Sequence, residues 1–124
     1  MAEITLGSKA EIVKRFLTET RSAEQFASYF TADAFYRVGN NEPIIGRDRI
    51  QESSVRFRQM LKSIAHDIQH LWQLGDTVVC EMVVTYTRND DKVVTLPCMD
   101  VIHLEGDKFR EMHIYIDISP VFAP

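Results

Sequence analysis

The sequence has few of the residues that mark specialised classes of protein. Only two of its 124 residues are cysteines, Cys80 and Cys98, which is too few for a disulfide framework. No apolar run approaches the ~20 residues of a membrane-spanning helix. The first residues lack the basic start and the long apolar segment of a signal peptide. We therefore expect a cytoplasmic protein with reduced thiols and no membrane partner.

Neither positive nor negative charge is in strong excess. The chain carries 14 basic and 18 acidic residues, a net charge of −4, and its basic residues form no stripe. The composition therefore argues against nucleic acid as a partner. The sequence contains no phosphate-binding glycine loop, no cofactor fingerprint and no Ser–His–Asp arrangement, so we expect no cofactor.

What the chain does have is enough apolar residues for a core. With 124 residues, 45% of them hydrophobic, it is the size of one domain. No repeat, low-complexity tract or linker divides it. We predict a single domain over residues 1–124.

The second half of the chain has the pattern of β-strands. Runs rich in Val, Ile, Thr and Tyr are separated by turn signals at Gly75-Asp76, at residues 89–91 and at Gly106-Asp107. Such runs between Gly, Asn and Asp predict antiparallel strands joined by hairpins. We predict strands over residues 65–74, 77–88, 92–105 and 108–118.

The first half has the pattern of amphipathic helices. Ser8 with Glu11, and Ser22 with Gln25, form capping boxes, which predict helices over residues 8–20 and from residue 22. Residues 31–33 are expected to end the second helix, and residues 35–38 alternate like a short strand. A third helix is predicted with Asp48 as its N-cap and its end near Ser63. Helices followed by a long meander predict an α+β fold, whose curved sheet leaves an apolar cavity.

Several motifs together resemble one known family. They are Phe30-Thr-Ala-Asp-Ala-Phe-Tyr-Arg-Val38, Ile45-Gly-Arg-Asp-Arg-Ile50, Gly75-Asp-Thr-Val-Val-Cys-Glu81 and His113-Ile-Tyr-Ile-Asp117. The pattern is similar to the nuclear transport factor 2-like superfamily, and most of all to its SnoaL-like (polyketide-cyclase-like) branch. The resemblance implies a cone-shaped curved antiparallel sheet wrapped around N-terminal helices, a cystatin-like α+β barrel. The superfamily includes isomerases, dehydratases, epoxide hydrolases, cyclases and binding proteins.

The resemblance also implies roles for single positions. The general base of ketosteroid isomerases corresponds to Val38 and their helix-1 tyrosine to Phe16, and neither residue transfers protons. Their neutral aspartic acid corresponds to Asp100. The water-positioning tyrosine of limonene-type epoxide hydrolases corresponds to Tyr36, and a pocket histidine of scytalone dehydratases to His66.

The Asp–Arg–Asp set of the epoxide hydrolases is not present here. The corresponding positions are Met82, Val84 and Ile114, so that mechanism is not expected. These side chains are instead predicted to form the wall of a ligand pocket, and the predicted ligand-binding residues are Tyr36, Phe16, Val38, Met82, Val84, Cys98, Met112 and Ile114.

Asp100 is the strongest chemical signal in the sequence. It stands between Met99 and Val101 in an apolar strand, and a carboxyl group facing a dry cavity is costly unless it is partnered or protonated. A two-residue turn at Gly106-Asp107 would pair Asp100 with His113, and a three-residue loop would place it opposite Met112. The resemblance favours Met112 and Ile114 on the inside. The alternative places Asp100 on the outer face, hydrogen-bonded across a dimer interface.

His66 and His70 have zinc-binding spacing only if they lie on a helix. On a strand they stand ~13 Å apart, so we expect no metal. His66 is then a candidate pocket base, or else part of one alternating face with Ile68, His70 and Trp72.

Two functions follow from these residues. The first is a cofactor-independent isomerase, dehydratase or cyclase that binds a small apolar carbonyl compound, with Asp100 and His66 as acid and base and Tyr36 orienting the ligand. The second is a non-catalytic module that binds an apolar ligand or a protein. Apolar alternates on the convex face, Val79, Val83, Val101 and Tyr115, further predict a homodimer through the sheet.

Overall fold

The computed structural model describes residues 8–124 and has the expected α+β architecture. The elements in chain order are α1 (Lys9–Glu19), α2 (Ala23–Ala27), β1 (Phe30–Val38), β2 (Ile44–Ile45), α3 (Arg47–Arg58), β3 (Leu61–Leu74), β4 (Thr77–Arg88), β5 (Val93–Glu105), β6 (Lys108–Tyr115) and α4 (Ser119–Phe122). The strands form one curved, unclosed sheet in the order β2-β1-β6-β5-β4-β3. Neighbouring strands are antiparallel except β1 and β6, which run parallel.

Both predicted capping boxes start helices. The Ser8 hydroxyl accepts a hydrogen bond from the Glu11 amide at 3.1 Å, and the Ser22 hydroxyl accepts one from the Gln25 amide at 3.0 Å. Each bond satisfies an amide that has no partner within its helix. The apolar face of α1 is buried, at Ala10, Ile12, Val13, Phe16 and Leu17.

The third helix differs from its prediction at both ends. Its N-cap is Gly46, at a φ of 99°, and not Asp48, which lies in the first turn. A carboxylate in that turn still interacts favourably with the helix dipole. The helix ends at Arg58 and not near Ser63, because β3 begins at Leu61 and its first residues pair with Thr87 and Arg88.

The N-terminal strands are longer and more numerous than predicted. β1 begins at Phe30 and not at Phe35, because Phe30 pairs with Phe109 across an irregular stretch of β1. Residues 31–33 therefore belong to a strand and do not end a helix. Ile44 and Ile45 form an unpredicted strand against Phe35 and Tyr36.

The predicted meander is present, and its last strand ends early, at Tyr115. Its first strand starts at Leu61, four residues before the predicted start. The hairpin turns lie at the predicted Gly75-Asp76 and Gly106-Asp107, where Gly75 and Gly106 have φ values of 61° and 60°. Glycine adopts this left-handed conformation without a steric penalty.

An irregularity in the β5–β6 hairpin determines which residues of β6 lie opposite Asp100. The β5–β6 hairpin has a two-residue turn, but its register shifts between His103 and Leu104, so Asp100 lies opposite Ile114. Both pairings considered from the sequence, with His113 and with Met112, are therefore wrong. A one-residue shift changes the face of every later side chain, and Asp100 thus shares a face with Met112 and Ile114.

The sheet has an inner face, which packs against the helices, and an outer face. On β4 the inner face carries the buried residues Val78, Cys80, Met82, Val84 and Tyr86. Between them, Thr77, Val79, Glu81, Val83 and Thr85 point outward. Within residues 8–124, no helix is long and apolar enough to cross a membrane.

Candidate functional site

A cavity of about 830 Å³ lies between the helices and the inner face of the sheet. α1 and α2 contribute Phe16 and Phe26 to its lining, and α3 contributes Ser54, Phe57 and Arg58. The structure brings every side chain of the predicted site to this cavity, namely Asp100, His66, Tyr36, Phe16, Val38, Met82, Val84, Cys98, Met112 and Ile114. Their roles there stay a prediction.

Asp100 is the buried acid of this cavity. Only 2% of its surface is exposed, and its one hydrogen bond among residues 8–124 comes from the Cys98 thiol, 3.5 Å from Oδ1. Burial raises the pKa of Asp100 to about 7, although the bond from Cys98 opposes this shift. The carboxyl group therefore holds a proton at mildly acidic pH and is then a hydrogen-bond donor.

Tyr36 lies in an aromatic wall of the cavity. Its ring packs edge-on against Phe26 and Phe30, with centroids 5.8 Å away in each case. Burial, with a smaller contribution from Asp100, raises the pKa of Tyr36 far above its usual value. The hydroxyl stays protonated and has no hydrogen-bond partner among the described residues, so a ligand carbonyl or a water can accept from it.

His66 projects into the cavity from β3. Burial lowers its pKa, the backbone carbonyl of Leu17 opposes that shift, and the charge of Arg58 adds to it. The imidazole is therefore neutral near pH 7 and can accept a proton.

The two histidines of β3 lie on opposite faces. A register shift between Ile68 and His70 leaves His66 and Ile68 inside and turns His70 and Trp72 outward, where their rings stack at 5.3 Å. A single alternating face for these residues is therefore wrong. Residues 8–124 contain no group of three His, Cys, Asp or Glu side chains that could hold a metal ion.

The two cysteines line the sheet beside Asp100. Burial is the largest effect on both thiols, and Asp100 adds to it: the pKa of Cys80 is raised to about 12 and that of Cys98 is raised further. A thiol that stays protonated is a poor nucleophile. Cys98 is therefore part of the cavity wall, and Cys80 belongs to the hydrophobic core beside it.

The strand register sets the spacing between the candidate acid and base. His66 pairs with Val84, which pairs with Leu96, whereas Asp100 lies four residues further along β5. On an unrolled sheet the two backbone positions are about 16 Å apart. Curvature and side-chain length shorten this distance, but a ligand that contacts both groups must extend along the cavity.

Arg58 is a functional candidate that the sequence reasoning missed. It lies on α3 four residues after Ser54 and eight after the buried Ile50, so all three share one helix face. A polar pair that continues an apolar stripe was a detectable signal. Because the helix was predicted to run to Ser63, Arg58 was not expected at its C-terminal end, where this face meets the cavity.

Comparisons with known proteins agree on the fold. The family model for the SnoaL-like domain matches residues 13–112. A putative SnoaL-like polyketide cyclase from Jannaschia sp. CCS1 has a similar structure, with a TM-score of 0.81, 14% identity and coverage of 98% of this chain and 95% of that one. No curated protein matches the chain significantly.

Two further solved structures were obtained with small molecules. A hypothetical protein with a ketosteroid isomerase-like fold from Catenulispora acidiphila DSM 44928, in complex with trimethylamine, has a TM-score of 0.77, 20% identity and coverage of 90% and 88% of the two chains. TerC, co-crystallised with polyporic acid, has a TM-score of 0.77, 17% identity and coverage of 93% and 96%. At these identities the likeness establishes the fold alone.

Proposed function

The chain belongs to the family of SnoaL-like domains, and from this premise we propose that it is a cofactor-independent enzyme that moves a proton on a small apolar carbonyl compound. Isomerases, dehydratases and cyclases share this step. In this proposal Asp100 is the acid, His66 is the base and Tyr36 is the residue that orients the ligand.

One feature of the cavity carries the proposal. Asp100 is a carboxyl group with 2% exposure inside an apolar cavity, and its only partner among residues 8–124 is a weak thiol donor. Such a group costs stability unless it stays protonated or binds something. A protonated carboxylic acid facing a cavity is suited to donate a hydrogen bond to a carbonyl oxygen, which is what the neutral aspartic acid of ketosteroid isomerases does.

The proposed step needs both a donor and a base. The base takes a proton from the γ-carbon of an α,β-unsaturated carbonyl compound, and the electron pair of the broken C–H bond moves through the C=C bond to form the dienolate. Asp100 donates to the oxygen on which the charge develops. His66 accepts the proton, and because it lies at a different level of the cavity, the proposal requires an elongated conjugated ligand.

A non-catalytic binding module is the second candidate. Val38 and Phe16 favour it, because they occupy positions where ketosteroid isomerases carry proton-transfer groups and cannot transfer protons themselves.

Deuterium exchange separates the two candidates. The probe is 3-nonen-2-one, an elongated conjugated apolar ketone, whose exchange of γ-hydrogens in D2O is followed by proton NMR. We expect the protein to accelerate exchange above buffer and Asp100→Leu, which removes the donor, to slow it about 100-fold. Asp107→Leu is the matched control, since Asp107 is exposed in the β5–β6 turn, and it should match the unaltered protein. Binding of 3-nonen-2-one without faster exchange would support the binding module.

We also propose a homodimer through the outer face. Val79 lies opposite Val101 on adjacent strands, and Val83 lies on the same face of β4, beyond the exposed Glu81. A second copy of the same face would cover these valines. Light scattering after size exclusion should give twice the 14.3 kDa chain mass, and Val101→Lys should give the single mass. A single mass for the unaltered protein would contradict the dimer.

A further inference from the structure

We propose that Arg58 binds an anionic group of the ligand, so that the cavity takes an apolar molecule bearing a carboxylate. This inference rests on the proposed function, because it assumes an apolar ligand in the cavity. It adds the chemical class of that ligand and a residue that holds it.

Arg58 is fixed with its terminal nitrogens free. Its Nε donates to the Ser54 hydroxyl at 3.1 Å, which fixes the side chain along α3 toward the cavity that both residues line. Neither of its terminal nitrogens donates to an acceptor within residues 8–124, and no described carboxylate forms an ion pair with it. A half-buried guanidinium with free donors matches the two oxygens of a carboxylate.

The other cations that line the cavity are already occupied or exposed. Lys62 forms an ion pair with Asp91. Arg21 donates to the carbonyls of Thr18 and Thr20, at 3.0 and 3.2 Å. Arg56 is exposed. Among the cations that line the cavity in residues 8–124, Arg58 is therefore the one that combines burial with free donors.

The charges around Arg58 point the same way. Burial lowers its pKa, and the nearby Tyr36 partly opposes that shift. The charge of Arg58 in turn lowers the pKa of His66. The acidic residues lining the cavity are Glu42, which is exposed, and Asp100, which is protonated at mildly acidic pH. A half-buried cation has lost part of its hydration, and a ligand carboxylate would compensate for that loss.

The placement of Arg58 also orients the ligand. Arg58 acts electrostatically on Tyr36 and His66, so the anionic group belongs at their end of the cavity. The apolar body then extends between Phe26 and Met82 toward Asp100. Naphthalene-2-carboxylate is a probe of this class, and naphthalene-2-carboxamide is its uncharged counterpart of nearly the same shape.

Titration calorimetry at pH 6.5 with the two probes tests the inference. We expect the carboxylate to bind the unaltered protein at least about 10-fold more tightly than the amide. Arg58→Gln should weaken carboxylate binding about 10- to 100-fold and leave amide binding unchanged. Arg49→Gln is the matched control, since Arg49 is exposed on the same helix and does not line the cavity, and it should keep the preference. Arg58→Lys should keep part of it.

Each contrary result has a separate meaning. Equal affinities of the unaltered protein for both probes would overturn the role of Arg58 and leave the proposed proton transfer intact. The same holds if Arg58→Gln and Arg49→Gln behave alike. If neither probe binds, the inference is wrong and the proposal of an apolar-ligand cavity loses its basis too. The comparison of carboxylate and amide binding to the unaltered protein needs no variant, so it tests the inference even if Arg58→Gln does not fold.

Discussion

The two faces of the sheet differ in how their polar side chains are hydrogen-bonded. On the outer face they pair with one another: the Thr77 hydroxyl lies 2.9 Å from His103 Nδ1, Thr85 lies 3.2 Å from Thr95, and Glu111 accepts from Arg110 at 2.8 Å. On the inner face Asp100 has one weak donor and the Tyr36 hydroxyl has no partner within residues 8–124. The outer polar groups named here are paired by the fold, whereas Asp100 and Tyr36 keep hydrogen-bonding capacity that faces the cavity.

This difference supports the proposed ligand-binding roles of Asp100 and Tyr36. Buried polar groups in folded proteins are nearly always hydrogen-bonded, because an unpaired group costs roughly 1–3 kcal/mol. Exceptions that converge on one cavity are typical of functional sites. Asp100 and Tyr36 therefore support the proposed site more specifically than the alternation of the strands does.

The largest expected effect concerns the proton on Asp100. Its pKa is raised from 3.8 to about 7 by burial, so the folded protein holds this proton more tightly than the unfolded chain. The free energy of unfolding should therefore fall as pH rises from 4 to 7.5, by up to about 4 kcal/mol. Urea unfolding at several pH values, compared with Asp100→Asn, measures this contribution.

The variant serves as the reference because its amide does not titrate. His66, with its lowered pKa, contributes a slope of opposite sign, but it is present in both proteins and cancels in the difference. Parallel pH profiles for the two proteins would show that the fold does not raise the pKa of Asp100. The proposed difference between the inner and outer faces would then be wrong for Asp100, the residue on which it mainly depends.

The fold was predictable because its signals are local. Capping boxes at Ser8 and Ser22, and glycines at the turns, determine where elements start and end within a few residues. β2 escaped prediction because its two residues are too few to show alternation. The first half of β1 escaped prediction because the pairing partner of Phe30, which is Phe109, lies far away in sequence. The early end of α3 has the same cause, since pairing with β4 extends β3 at the expense of the helix.

The second prediction compares adjacent valines on opposite faces of β5. Val94 is 9% exposed and Val93 is 60% exposed. Replacing each by alanine loses the same β-propensity, so the difference isolates burial. We expect Val94→Ala to lower the free energy of unfolding by about 2 kcal/mol and Val93→Ala by about 0.5 kcal/mol. Urea unfolding at one pH measures both, and equal losses would contradict the assignment of the faces.

The site was predictable in composition but not in geometry. The resemblance brought Asp100, His66 and Tyr36 to one cavity, and the structure locates them there. Two one-residue shifts, one before Leu104 and one before His70, decided which side chains face inward. Neither has a sequence signal such as glycine, because each arises from competition between hairpin turns and packing of the inner face.

The smallest expected effect concerns a satisfied polar group of the outer face. Burial alone would raise the pKa of Glu111, but the bond from His113 and the charges of Arg110 and His103 outweigh it and lower that pKa. The ionised Glu111 side chain therefore stabilises the fold at neutral pH, and this contribution is lost as pH falls below about 4. The change of stability with pH has the opposite sign to that expected for Asp100.

We expect Glu111→Gln to lower the free energy of unfolding by about 0.5 kcal/mol at pH 7 in low salt, by less in 1 M NaCl and not at all at pH 3. Urea unfolding under these three conditions is the measurement. A cost above about 2 kcal/mol, or one that persists in acid, would mean that the outer face holds its charges as tightly as the cavity does, and the distinction between paired and unpaired groups would no longer identify the site.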